Sequence, residues 1–296
     1  MWYAVLALYT SVAGFHVSVA PAESLWVETA GTGRTVVLIP GLLGSSFGFR
    51  QVSGQLAAAG YRVVVIEPLG TGRSSRPGGA DYALTAQADR VAAVLDTIGV
   101  SDALVVGHAI GASLALRLSY RRPELVRGVL SIDGGPAETV VSASFRRALR
   151  FAPLLKLFGG QKRVRNELAK QLTGASGDPS WVTSGVLDGY SAGTTNLGQT
   201  LRVLQAMSRA VEPEALLDRL HDIDSPVMVL MGTAGKSAGL TEQDVALMNE
   251  RLPALIVERF AGIGHYVHEE KPDAVVGAVV RLDRMTQTST SRQEAP

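Results

Sequence analysis

The chain contains no cysteine. This absence excludes a disulfide framework, a thiol nucleophile and a cysteine-ligated zinc site, although it does not identify the compartment. An excess of charge of one sign is also missing, since 28 basic residues stand against 27 acidic ones. Without such an excess, nothing favours electrostatic capture of nucleic acid or of an anionic membrane. We therefore expect a small, near-neutral molecule as the partner, and no nucleic acid.

Apolar residues are plentiful: the 296 residues are 46% hydrophobic and 19% charged, a composition that allows a sizeable core. Short apolar runs alternate with longer segments that have apolar residues at helical spacing. We predict buried parallel strands at residues 35–39, 61–66, 103–106, 129–132 and 227–231. This alternation predicts an α/β fold with a doubly wound sheet.

The alternation stops between residues 137 and 222, where helical segments follow one another without a clear strand. We predict a helical cap over residues 137–222, inserted into a core made of residues 23–136 and 223–285. Its aromatic residues either face a pocket beneath the cap or, in the simpler interpretation, fill the cap's own core. They are Phe145, Phe151, Phe158, Trp181 and Tyr190.

The two ends of the chain differ from the core. Residues 1–22 carry no charge, include an apolar run at residues 2–8, and end in Ala20-Pro21-Ala22, which resembles the cleavage site of an export signal. The positively charged start of such a signal is missing. The segment is therefore either a signal or membrane anchor or an N-terminal extension packed on the domain, and the protein is either cytoplasmic or exported and membrane-tethered. Residues 286–296 are polar and predict a disordered tail.

The most informative motif is the run of residues 105–113, Val-Val-Gly-His-Ala-Ile-Gly-Ala-Ser, which leads from a predicted strand into a predicted helix. Glycines lie two positions before and two positions after Ala109. This spacing is typical of a nucleophile elbow, a sharp turn that projects one side chain at the start of a helix. Here that side chain is a methyl group without a nucleophilic or ionisable atom. Covalent acyl-enzyme chemistry at Ala109 is therefore excluded.

Three further segments agree with this corner in order and spacing. They are Ile39-Pro40-Gly41-Leu42-Leu43-Gly44, Glu67-Pro68-Leu69-Gly70-Thr71-Gly72-Arg73-Ser74-Ser75 and Gly262-Ile263-Gly264-His265, each placed after a predicted strand. Together, the four motifs resemble those of α/β-hydrolase-fold proteins over roughly residues 24–282. The resemblance implies a mostly parallel sheet of about eight strands with an inserted helical cap, no cofactor, no metal, and a monomer or weak homo-oligomer.

In that family, the elbow residue attacks an acyl carbon, a late histidine removes its proton, and an acidic side chain orients the histidine. His265 matches the late histidine. The turn after Met231, where the family usually has its acid, has no carboxylate, and Asp133 stands at an alternative position that some relatives use. Asp133 is equally consistent with a cap or turn residue. The backbone N–H groups of Leu42 and Ile110 match the family's oxyanion donors.

Other residues have simpler interpretations. Ser113 lies one helical turn after Ala109 and fits a packed small residue better than a replacement nucleophile. Glu242 and Asp244 begin a predicted helix, where acidic side chains are stabilised by the helix dipole. The segment Gly70-Thr71-Gly72 lacks the third glycine of a dinucleotide loop, so we expect no nucleotide.

Three functional hypotheses remain open. One is a hydrolase or lyase that works without serine, with His265 as general base on water or substrate; residues 107–111 and 40–45 resemble those of aminoacrylate hydrolases, some of which also have alanine at the elbow. Another is a hydrolase of a small, largely apolar ester or amide whose serine was replaced by Ala109. The third is a non-catalytic binder of a small apolar ligand. The sequence alone does not separate a native alanine from a replaced serine.

Overall fold

A computed structural model describes residues 12–42, 44–141, 146–147, 161–192, 197–234 and 239–293. Within these residues, eight strands form one sheet in the order β1-β2-β4-β3-β5-β6-β7-β8. The strands are β1 Ala13–Ala20, β2 Glu23–Ala30, β3 Arg34–Ile39, β4 Tyr61–Glu67, β5 Ala103–His108, β6 Val126–Ile132, β7 Val227–Gly232 and β8 Leu255–Phe260. β2 is antiparallel to β1 and β4, and all other neighbours are parallel. The predicted, mostly parallel sheet is confirmed.

Helices cover both faces of this sheet. They are α1 Arg50–Ala58, α2 Leu84–Thr97, α3 Ile110–Arg121, α4 Gln161–Gly174, α5 Ser184–Ser191, α6 Leu197–Met207, α7 Glu242–Arg251, α8 Val267–Glu270 and α9 Pro272–Gln293. Because successive residues of a strand point to opposite faces, Val37 packs in the apolar cluster that includes α2 and α3, whereas Val36 packs with α1 and α9. Burial on both faces explains the uninterrupted apolar runs of the central strands.

The chain between β6 and β7 forms helices α4, α5 and α6, and its described residues contain no strand. This is the helical insertion that the sequence predicted. Trp181 and Tyr190 pack against each other and join a small apolar cluster with Leu172 and Val186. Trp181 fits the simpler interpretation of the cap aromatics, whereas Tyr190 also lines the cavity beneath the insertion. Phe145, Phe151 and Phe158 lie outside the described residues.

The N-terminal part of the chain contributes an edge strand. β1 pairs with β2 from Ala13 opposite Thr29 to Ala20 opposite Glu23, and Ala22 lies in the turn between them with a φ of 63°. Residues 1–11 lie outside the described residues, so export or tethering through them stays a prediction. Among the helices that the structure describes, none has the length and apolarity needed to cross a membrane.

The C-terminal helix is longer than the sequence suggested. α9 continues to Gln293, so the prediction of a disordered tail from residue 286 is wrong as far as residue 293. Thr286 is buried, and its hydroxyl donates to the carbonyl of Asp283 at 2.8 Å. Polar residues without a hydrophobic period can therefore extend a helix whose preceding turns are already packed. Residues 294–296 lie outside the described residues.

A fully buried arginine on α3 lies between the two ends of the insertion. The guanidinium of Arg117 lies 3.4 Å from Glu138 and 3.5 Å from Glu212, and it donates to the hydroxyl of Ser113 at 2.6 Å. The same hydroxyl accepts from the backbone N–H of Ala137 at 3.2 Å. Ser113 is therefore a packed residue, as expected, and α3 is bonded to both ends of the insertion.

Removing this arginine should destabilise the fold strongly, because two carboxylates would lose their buried partner. We expect Arg117→Leu to lower the free energy of unfolding by about 3 kcal/mol, measured by urea denaturation. The matched control is Arg121→Leu on the same helix, whose pairs with Asp89 at 2.8 Å and Glu214 at 3.3 Å are exposed and contribute less than about 1 kcal/mol. Equal losses in the two variants would contradict this assignment.

Candidate active site

The structure places a sharp strand-to-helix corner at Ala109. β5 ends at His108, α3 begins at Ile110, and Ala109 between them has a φ of 51° and a ψ of −117°. This conformation is strained for a residue with a side chain. The flanking glycines permit it, because a Cβ on Gly107 would lie 2.3 Å from the backbone of Gly111. The backbone thus has the geometry that the sequence predicted, with a methyl group at its apex.

His265 and Asp133 meet beside this corner. His265 Nδ1 lies 2.6 Å from Asp133 Oδ2, although the two residues are 132 positions apart, and their residue exposures are only 8% and 1%. Asp133 directly follows β6, with a φ of 46°, and its N–H donates to the carbonyl of Leu230 on β7 at 2.8 Å. Asp133 is therefore a turn residue and also the hydrogen-bond partner of His265, while its role as the acid of a catalytic site stays a prediction.

The oxyanion donors proposed from the sequence lie next to the corner. Ile110 is the first residue of α3, so its N–H has no acceptor within the helix. Among the described residues, no protein acceptor is bonded to the N–H of Leu42 or of Ile110. A Cβ on Gly41 would lie 3.5 Å from Cβ of Ala109, which brings the turn of Leu42 within contact distance of the corner. Both N–H groups could therefore serve a ligand oxygen.

Sequence reasoning quoted Glu67 within a motif but missed its function in the fold. Glu67 is the last residue of β4, and its fully buried side chain accepts from the N–H of Ser46 at 2.8 Å and from the N–H of Arg73. Burial raises the pKa of this carboxyl group. Glu67 joins the loop that carries Leu42 to the loop after β4, so it fixes one wall of the site. The feature of the sequence that could have indicated this role is an acidic residue at the end of an apolar strand.

His108 packs against His265, and His268 packs against His108. The ring centroid of His108 lies 4.6 Å from the ring centroid of His265 and 4.3 Å from that of His268. Burial, with smaller effects of the neighbouring histidines, holds the pKa of His108 well below its usual 6.5. Burial, helped by His265 and Arg50, lowers the pKa of His268 to about 3. Both rings are therefore neutral at physiological pH.

These groups line one cavity of about 750 Å³ between the sheet and the insertion. Ala109, Asp133 and His265 form part of its wall. The remaining lining is mainly apolar, and it includes Leu42, Phe49, Ile110, Val141, Leu172 and Leu240. A cavity of this size and character is typical of sites for small organic molecules. Asp244 also borders it, but its carboxylate is engaged in the capping box with Thr241 at the start of α7.

Comparison with known proteins identifies a family that the chain matches over half of its length. The family described as "alpha/beta hydrolase fold" matches residues 34–183. An uncharacterized protein of Mycobacterium tuberculosis is 26% identical over 90% of this chain and 80% of its own length. A 2-(acetamidomethylene)succinate hydrolase of Mesorhizobium japonicum is 24% identical over 88% of this chain and 91% of its own length.

Among solved structures, an epoxide hydrolase from an endophytic Streptomyces superposes with a TM-score of 0.77. The superposition covers 94% of this chain and 96% of that one at 22% sequence identity. At this level of identity, the likeness establishes a shared fold and leaves substrate and activity undetermined.

The neutral state of His268 makes stability dependent on pH. Between its folded pKa of about 3 and the ordinary 6.5, the unfolded chain binds more protons than the folded chain, so stability present above pH 6.5 is lost as the pH falls. We expect His268→Asn to reduce the slope of unfolding free energy against pH by about 1.4 kcal/mol per unit in this range. Urea unfolding at several pH values measures the slope, and identical slopes for both proteins would refute the assignment.

Proposed function

The chain belongs to the α/β-hydrolase fold family, and we propose that it hydrolyses a small, largely apolar ester or amide, with His265 as general base on water in place of a nucleophile at the elbow. The observation that carries this proposal is the 2.6 Å contact between His265 Nδ1 and Asp133 Oδ2 in the wall of the cavity, beside Ala109. The Mesorhizobium japonicum relative is named as a hydrolase, which supports the same class of reaction.

The contact with Asp133 determines what the imidazole can do. When Nδ1–H donates to the carboxylate, the lone pair lies on Nε2, and among the described residues the bond to Asp133 is the one hydrogen bond that the imidazole makes. His265 Nε2 can then accept a proton from a water molecule as the water oxygen forms a bond to the carbonyl carbon. Asp133 holds the ring in this tautomer and stabilises the imidazolium that results. General-base assistance of this kind contributes about 10²- to 10⁴-fold in rate.

The charge that develops on the substrate has partners in the backbone. As water attacks, the carbonyl oxygen becomes an oxyanion that accepts from the N–H groups of Leu42 and Ile110. A single donor of this kind contributes about 10²- to 10³-fold. The imidazolium of His265 then returns its proton to the leaving alcohol or amine, and the carbon–oxygen or carbon–nitrogen bond breaks. The products are a carboxylic acid and the leaving group, and no covalent bond to the chain forms at any step.

A second candidate is a serine hydrolase in which serine was replaced by alanine, and the backbone at Ala109 favours it. A φ of 51° with a ψ of −117° is strained for alanine, and such a conformation is useful mainly where a side chain must be projected toward a reacting atom. Hydrolysis through His265 uses the same cavity and the same N–H groups. The two candidates therefore differ only in whether residue 109 once formed an acyl intermediate.

The test uses the protein with Ala109 in place and p-nitrophenyl butyrate as the probe ester. We expect slow turnover that falls about 10²-fold or more in His265→Gln, because the general base is lost, and also falls in Asp133→Asn. His221→Gln, at an exposed position, is the matched control and should leave turnover unchanged. In ¹⁸O-labelled water, one labelled oxygen should enter the acid. Turnover that survives in His265→Gln would refute the proposal, and ligand binding without any turnover would favour the binder.

Restoring a nucleophile tests the scaffold itself. In Ala109→Ser, the hydroxyl would stand at the strained corner within the reach of His265, so we expect faster ester turnover and covalent labelling by a fluorophosphonate, detected as a mass increase on residue 109. The double variant Ala109→Ser/His265→Gln should lose the labelling. A folded Ala109→Ser protein that is neither labelled nor active would contradict a hydrolase site at this corner.

A further inference from the structure

Glu270 lies outside the cavity lining, yet its carboxylate joins two distant parts of the chain. It accepts from the backbone N–H of Gly177 at 3.0 Å and of Asp178 at 2.8 Å, and both residues follow α4 in the insertion. It also accepts from the N–H of Gly264 at 3.0 Å, directly before His265. Charge-assisted bonds of this type are about twice as strong as neutral ones. One side chain thus bonds the insertion to the turn that carries the histidine.

The backbones of these two segments are also in direct contact. The N–H of His265 donates to the carbonyl of Ala175 at 2.8 Å. No side chain fits between them: a Cβ on Gly177 would lie 1.9 Å from the carbonyl oxygen of Gly262, and a Cβ on Gly264 would lie 2.2 Å from that of Ala175. Residues 175–178, which we name the insertion loop, therefore pack directly against the His265 turn through backbone atoms.

Side chains hold the insertion loop in this place. The indole N–H of Trp181 donates to the hydroxyl of Ser176 at 3.0 Å, and this hydroxyl donates to the carbonyl of Leu172 at 2.7 Å. The ring of Trp181 lies 5.4 Å from the ring of Tyr266, the residue after His265. The insertion loop therefore has a defined conformation that continues into the turn of the histidine.

From these contacts we infer that the insertion loop and Glu270 position His265 against Asp133, so that Glu270 is a positioning residue of the site. The inference rests on the proposed function in so far as it treats His265 as the base. The imidazole stands on a short turn after β8. The carbonyl of Ile263 in this turn accepts from the N–H of Ala234 after β7 at 2.8 Å, and His108 Nε2 lies 3.2 Å from the carbonyl of His265. The turn's remaining bonds described above join it to the insertion and to Glu270. Seating of the insertion loop thereby sets the geometry of the His265–Asp133 pair, and displacement of the loop moves the imidazole away from the carboxylate.

A measurement without substrate tests this inference. In the ¹H NMR spectrum, the Nδ1–H of His265 bonded to Asp133 should give a downfield resonance, assigned by its loss in His265→Gln. Gly177→Ala, whose new methyl group would collide with Gly262, and Glu270→Gln, which loses charged acceptors, should each shift or abolish this resonance. The matched controls are Gly185→Ala, which has room for a methyl group, and Glu258→Gln, which loses an exposed pair with Arg281; both should keep it.

The result that overturns the inference is an unchanged resonance in folded Gly177→Ala and Glu270→Gln, with folding checked by circular dichroism. If one variant fails to fold, the other decides. If neither folds while the controls do, the contact supports the whole fold rather than the histidine, and the positioning role is refuted.

A second measurement separates this inference from the proposed function. In the Ala109→Ser background, we expect Gly177→Ala and Glu270→Gln to slow fluorophosphonate labelling at saturating probe by about 10- to 10²-fold, because small misplacements of a base are costly, while the probe concentration at half-maximal rate stays unchanged. Equal labelling rates in all variants would contradict positioning. If folded Ala109→Ser is neither labelled nor active, the proposed function fails, and the resonance alone still decides the positioning role.

Discussion

The hydrogen bond between His265 and Asp133 is the interaction on which the site depends. It joins residues 132 positions apart, and it exists because parallel strands end at the same edge of a sheet. Asp133 follows β6, His265 follows β8, and β7 lies between these strands. Close backbone contact closes the gap, since a Cβ on Gly232, the last residue of β7, would lie 2.1 Å from the carbonyl of Gly264. The order of the strands in the sheet therefore brings His265 and Asp133 together.

The corner at Ala109 has the backbone geometry of a nucleophile elbow but no nucleophilic side chain. The strained backbone, the flanking glycines and the unpaired N–H groups near it are all present within the described chain, while the side chain is a methyl group. Attack by the side chain of residue 109 is therefore impossible, but polarisation of a carbonyl and activation of water need only backbone donors and a base. Without a nucleophile at residue 109, the proposed hydrolysis depends on His265.

Several buried or charged groups attach the insertion to the core, and Arg117, Glu270 and Tyr190 are among them. Arg117 bonds its two ends to α3, Glu270 bonds the insertion loop to the turn of His265, and the hydroxyl of Tyr190 on α5 donates to Glu269 at 2.8 Å. Burial and the charge of Glu269 raise the pKa of Tyr190 well above its usual value, which keeps this hydroxyl a donor. The roof of the cavity is thus bonded to the elements that carry the site.

The sequence by itself determined strands β3 to β7, the corner at Ala109, the helical insertion and the position of His265, because hydrophobic periodicity and glycine spacing are local properties of the chain. It did not predict the antiparallel strands β1 and β2, whose pairing with the rest of the sheet is not local. It could not choose between two interpretations of Asp133, and it missed Glu67 and Glu270, because a carboxylate's partners are fixed by folding rather than by its neighbours in sequence. It also misjudged α9 beyond residue 286, since the packing that extends a helix is not local. Only the tertiary structure decided which distant polar groups meet, because that depends on sheet order and close backbone contact.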